Sequence, residues 1–248
     1  MERLRERRFL ALLLLAWLPF LVRAIQTYIA SNFPQAAFLA PDERTFREML
    51  DQQRAFTFFV TIYAGAGLIA NDRRANALQI YLSKPITRIE YIAGKLTTLL
   101  AFLVCVTWAP AVVLVLLQMA LSGTTTFFSG HPFLIPAITL ACALQVFVAA
   151  LTMLALSSLS RSRRFVSVLY AGIVIFGAAL SQVLRLATGS RLWAGVSPQE
   201  MVSVVTDAIF GMSSRPAVPV AAASALIVVV LAASIAVLAH RVRAVEVV

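Results

Sequence analysis

Residues 96–160 read LTTLLAFLVCVTWAPAVVLVLLQMALSGTTTFFSGHPFLIPAITLACALQVFVAALTMLALSSLS, 65 positions without one Asp, Glu, Lys or Arg. A surface helix of a soluble protein carries charged residues on the face that meets water, and this run has none. A bilayer crossing takes about 20 apolar residues of helix. The run therefore holds two crossings, 96–121 and 133–157. Between them lie Ser122, Gly123 and Thr124 to Thr126, then Ser129, Gly130, His131 and Pro132, a polar stretch of turn formers. Backbone polar groups inside hydrocarbon must pair within their own segment, so the crossings are helices. The two-residue alternation of a membrane barrel is absent.

Working outward, four more apolar runs fit a crossing: 9–29, 55–71, 165–184 and 217–239. The composition agrees. The chain is 60% apolar and 13% charged, against about 45–50% and 25% in soluble domains. The expected fold is all-α: one polytopic membrane domain over 1–248, with six transmembrane helices, outer interfacial helices and a short cytoplasmic helix. Pro19, Pro110 and Pro136 fall in or just inside spans, where a packed bundle tolerates a kink.

The formal charge of +10 follows from topology. With six spans, 14 of the 21 Lys and Arg fall on the side of the N-terminus and 7 on the other. Basic residues favour the cytoplasmic side and anionic lipid. Both termini are therefore expected in the cytoplasm, in a multi-pass protein of the cell inner membrane, with no nucleic-acid partner. Residues 1–8 and 9–22 also have the layout of a signal peptide, with cleavage at Val22-Arg23-Ala24. Apolar character resumes through Ile25, Tyr28 and Ile29, which favours a retained crossing with Arg23 reaching outward.

Several chemistries are excluded. Gly94-Lys95 is followed by Leu96, and Ile89 stands where a P-loop needs its first glycine, so there is no nucleotide site. Two histidines, His131 and His240, cannot make an H-E-x-x-H zinc site, and Cys105 and Cys142 have neither metal nor disulfide spacing. No carboxylate lies central to a span, which weakens an ion-coupled carrier. Thr107, Thr139, Thr152 and Ser181 read as helix-packing hydroxyls. The expectation is no catalytic residue, no metal, no cofactor and no enzyme activity in this chain. Apolar spans with few fixed charges suit a lipid-like, peptide or hydrophobic drug cargo better than an ion.

Three loops are more than connectors. In 31–54, Asp42 can cap a helix, Thr45-x-x-Glu48 fits a capping box, and Phe46, Met49, Leu50 and Phe56 share a face. This reads as an outer amphipathic helix running into the second span. In 187–216, Ser197-Pro198-Gln199-Glu200 starts a helix and Gly211 ends it. Its apolar stripe is Met201, Val204, Val205, Ala208 and Ile209, opposite Ser203 and Asp207. On the cytoplasmic side, Asn71 or Asp72 starts a short helix whose Leu78 and Leu82 recur at i, i+4 beside Tyr81. Pro85 ends it, and Thr87-x-x-Glu90 caps the helix of the third span. A helix of about ten residues is marginal alone and needs a surface to pack on. A plain basic loop, made only for topology and lipid contact, would not need its Leu/Tyr face.

Asp72-Arg73-Arg74, Asn76-Ala77-Leu78-Gln79, Tyr81-Leu82-Ser83-Lys84-Pro85-Ile86-Thr87-Arg88, Glu90-Tyr91 and Gly94-Lys95 together resemble the first cytoplasmic loop of ABC-2 type permeases, the membrane subunits of one class of ABC transporter. The six-span plan agrees over the whole chain. The resemblance implies a coupling helix seated in a groove of a separate ABC ATPase subunit. Asn76, Leu78, Gln79, Tyr81 and Leu82 would form its partner face. Pro85, Thr87 and Arg88 would form the turn into the third span, capped by Glu90. It also implies a second permease subunit, in a homo- or heterodimer, and transport in the export direction. The family's N-terminal helix along the inner leaflet has only the short 1–8 here. A membrane scaffold or assembly factor that anchors a soluble partner is the competing expectation; a secondary carrier is a weaker one.

Overall fold

The structure is a computed structural model, and it describes residues 7–33, 35–36, 41–75, 87–122, 132–212 and 218–242. Among these there is no strand. The helices are α1 (Arg7–Leu15), α2 (Leu18–Asn32), α3 (Glu43–Val60), α4 (Ala70–Arg74), α5 (Arg88–Ser122), α6 (Leu134–Leu159), α7 (Arg163–Ala171), α8 (Gly177–Thr188), α9 (Pro198–Ile209) and α10 (Val220–Arg241). Wider π turns, Thr61–Gly65 and Gly172–Phe176, follow α3 and α7. Six helical stretches are long and apolar enough to cross a membrane: Phe9–Asn32, Glu43–Arg74, Arg88–Leu121, Leu134–Leu159, Arg163–Thr188 and Val220–Arg241. The all-α, six-helix polytopic architecture is the one expected.

Local details differ from the sequence reading. The first crossing is broken at Ala16 and Trp17, because Pro19 opens α2 and has no N–H to continue α1. Arg23 pairs with Glu48 of α3 at 3.2 Å and bonds Gln26. The second crossing is longer than 55–71, with α3 beginning at Glu43. Asp42 caps it, its carboxylate accepting from the Thr45 amide at 2.7 Å and the Thr45 hydroxyl at 2.8 Å. Glu48 is not the capping partner; it holds Arg23 and Arg44. Asn71 and Asp72 do not start a new helix but lie within α4.

The chain divides into two compact units. The first comprises Met1–Val60, Leu103–Val146 and Thr206–Met212. Its core joins Phe46, Met49 and Leu50 of α3 to Ala111, Leu114 and Val115 of α5, and to Leu134, Ala137, Ile138, Ala141 and Cys142 of α6. Phe210 closes it. Several polar groups here are paired: Gln145 donates to Thr57, Trp108 to Thr139, and Arg47 lies 2.6 Å from Asp207. Asp207 was expected on the polar side of its helix. It is buried instead, because the Arg47 guanidinium meets it there. Gly211, with φ +68°, ends α9 as expected: Met212 N–H bonds Asp207 C=O and Gly211 N–H bonds Ala208 C=O, a Schellman arrangement.

The second unit comprises Thr61–Phe102, Phe147–Val205 and Ser213–Val248. Its tightest point is Gly65, in the Ala64 to Gly67 run of small residues. A Cβ there would lie 2.4 Å from Met153 Cγ and 3.1 Å from Leu99 Cδ2. This glycine serves close packing within one chain. Where the π turn ends, Ser157 of α6 repairs the backbone: its hydroxyl accepts from the Ile69 and Ala70 amides, each at 3.1 Å, and donates to Ala66 C=O at 3.0 Å. Ser197 caps α9 through the Glu200 amide, as its motif predicts.

Candidate functional site: the frame of the 75–87 loop

Of the residues singled out for coupling, Asn76, Leu78, Gln79, Tyr81, Leu82 and Pro85 lie outside the described residues. What the structure does give is the frame that holds both ends of that loop, all of it in the second unit.

The first end is α4. Asp72 projects from it and accepts two bonds at 2.7 Å, from the Tyr91 hydroxyl and from Lys95 Nζ, both on α5. Lys95 also lies over the Tyr91 ring, 5.5 Å from its centroid. Tyr91 is buried, and its i, i+4 spacing to Lys95 puts both on the face that meets α4. One carboxylate thus ties the residue where the loop begins to the helix where it ends. Hydrogen bonds to a charged group are worth about 1.5–3 kcal/mol each, so the tie is strong for its size.

The second end is the start of α5. Thr87 N–H donates to Glu90 Oε2 at 2.7 Å, and Glu90 N–H donates to Thr87 Oγ1 at 3.3 Å, the reciprocal pattern read from the sequence. Arg88 is exposed at the first position of α5. Thr87, Arg88 and Glu90 therefore sit together at one helix start. The link to Asp72 is made by Tyr91, the next residue, and by Lys95, one turn beyond it.

The frame extends sideways from the neighbour of Asp72. Arg73 donates to the Ser158 carbonyl at the end of α6. Arg163, opening α7, donates to Tyr63 C=O at 3.1 Å and stacks 5.2 Å from the Tyr63 ring centroid. Ser162 caps α7 by accepting from the Phe165 amide. Arg73, Arg163 and Ser162 thus each bond a different piece of backbone. The sequence reading took Arg163 only as a topology charge, and Arg73 as that and as part of the Asp72-Arg73-Arg74 motif. It missed Ser157, because a serine in an apolar run gives no sign of which backbone its hydroxyl will satisfy, and Ser158, whose part is played by its backbone carbonyl. Among the described residues no His, Cys, Asp and Glu group could hold a metal ion.

A protein-family model described as ABC-2 family transporter protein matches residues 1–243. Compared with curated proteins, the chain finds no match.

Proposed function

We propose, since this chain belongs to the ABC-2 family of transporter proteins, that it is the permease subunit of an exporter powered by a separate ABC ATPase. That it is a multi-pass membrane protein with a transport permease role follows from the family and from its six apolar helices. The rest is our reading of the frame. Loop 75–87 faces the cytoplasm of a cell whose inner membrane holds the chain, with both termini on that side. Its helix docks on the ATPase through Asn76, Leu78, Gln79, Tyr81 and Leu82. Pro85, Thr87 and Arg88 turn it into α5, and Glu90 caps that turn. A second permease, identical or related, completes the path through the bilayer.

The observation that supports this reading best is the double bond of Asp72 to Tyr91 and Lys95. A loop meant only to connect two spans has no use for a brace across its base. A lever does: a push on the loop helix must move α4 and α5 together instead of fraying either. ATP-driven closure of two ATPases would shift the loop, and α5 would carry the shift into the membrane. This chain performs no covalent chemistry in that cycle. The test is co-expression with a candidate ABC ATPase subunit, followed by reconstitution in liposomes. The reading expects a stable complex whose ATP turnover requires this chain. An ATPase that turns over equally without it, or none that copurifies, leaves the scaffold reading instead.

A further inference from the structure

Gln53 lies on the face of α3 that also carries Phe46, Met49, Leu50, Thr57 and Val60, all of them buried. Spacings of three and four residues put these side chains on one stripe, and Phe46, Met49 and Leu50 join it to the core with α5 and α6. Gln53 is the odd member. It is 0% exposed, and neither its amide nitrogen nor its amide oxygen has a hydrogen-bond partner among the described residues. An amide buried in this way gives up its hydration for no return. Folded interiors supply such groups with a protein partner or with ordered water.

Its neighbours are polar. Thr57, one turn on, donates its hydroxyl to the Gln53 carbonyl at 2.9 Å, and Gln145 of α6 donates to that hydroxyl at 3.4 Å. Gln145 is itself buried, and this long bond uses its amide nitrogen and leaves its amide oxygen as an acceptor. Two residues before Gln53, the Asp51 side chain is 45% exposed, so solvent lies close at hand. The pattern of needs selects the ligand. Gln53 offers a donor and an acceptor side by side. A cation would meet its oxygen and leave the nitrogen bare, and an anion would do the reverse. Water serves both, and a buried water is held by about two to four polar partners.

We propose that ordered water is bound between α3 and α6 within the first unit, accepting from Gln53 Nε2 and donating to the amide oxygens of Gln53 and Gln145. It bridges the two helices where the apolar core between them ends. The site does not depend on the coupling role of loop 75–87.

Hydroxyl-radical footprinting of the full chain in liposomes tests it, because radiolysis makes the radical from bound water as well as from bulk water and marks the side chains beside it. The reporter is Met49, 0% exposed and one turn from Gln53 on the same face. Met153, equally buried in the second unit beneath Gly65, is the internal standard. Met49 should be oxidised well above Met153. In Gln53→Leu, which removes both polar atoms, Met49 should fall to the level of Met153. Gln145→Leu should lower it as well, and that variant carries the test if Gln53→Leu does not fold. A Met49 as unreactive as Met153 in the parent chain would overturn the proposal. Undiminished labelling of Met49 in either folded variant would overturn it too, since the radicals would then come from bulk solvent.

Discussion

Arg47 and Asp207 meet at 2.6 Å with 5% and 11% of their side chains exposed. Asp51 shares the same guanidinium at 2.6 Å from a more open position. Removing one member of a buried pair leaves the other charge uncompensated, at a cost of about 3–5 kcal/mol. Arg47→Met should therefore lower the melting midpoint in detergent sharply, while Arg47→Met with Asp207→Leu should recover most of the loss. Gly65 invites the opposite kind of test. Gly65→Val overpacks against Met153 and Leu99 and should cost about 1–3 kcal/mol. Adding Met153→Ala makes room and should restore part of it, as a double-mutant cycle would read out. At Asp72, substitution by Asn keeps an acceptor for the Tyr91 hydroxyl but loses the Lys95 charge pair; Ala loses both. ATP turnover that depends on the permease should fall in the order Asp72, Asn, Ala. These residues differ in how far the sequence announces them. Asp72 stands out inside a polar motif, and Gly65 within a small-residue run. Arg47 and Asp207 are 160 positions apart, and nothing local says that an arginine in an amphipathic helix will be buried on an aspartate so far along the chain.

Among the elements, α3 is the most readable and still instructive. Its start, its apolar face of Phe46, Met49 and Leu50, and its run into the second crossing follow from pattern alone. The capping partner does not, because Asp42 and Thr45 both offer a cap: Asp42 takes the role with Thr45 as its reciprocal partner, and Glu48 pairs with Arg23 and Arg44. Burial opposes the charge on Asp42, but the Thr45 amide and hydroxyl outweigh it and hold the carboxyl below its ordinary value. A depressed carboxyl pKa stabilises the fold above the unfolded value and loses that contribution as pH falls through the folded one. Asp42→Ala should cost about 1 kcal/mol at neutral pH, and the gap between variant and parent should close as the buffer is taken below pH 3.8. The π turns Thr61–Gly65 and Gly172–Phe176 were invisible beforehand. A wide turn costs little in composition, and its one external sign is a distant hydroxyl such as Ser157 placed to bond the displaced amides.

For the molecule as a whole, the second, third and fourth crossings bury 50%, 44% and 50% of their apolar stretch, and the first, fifth and sixth only 17%, 22% and 17%. Leu14, Val168, Phe176 and Leu186 are among the side chains left two-thirds or more exposed. In water such faces would drive aggregation; in a bilayer they face lipid or another subunit. Span number and helical class were legible because hydrocarbon imposes one rule on every backbone group. In the frame of loop 75–87 the Thr87–Glu90 cap was legible, and the bonds of Asp72, Arg73 and Arg163 were not. The docking face itself is the central claim, and one pull-down tests it most directly. Tyr81→Glu and Leu82→Glu, made singly and together, should each insert normally in the membrane and fail to retain the ABC ATPase on a tagged permease. Undiminished recovery of the ATPase with both substitutions in place would contradict the claim.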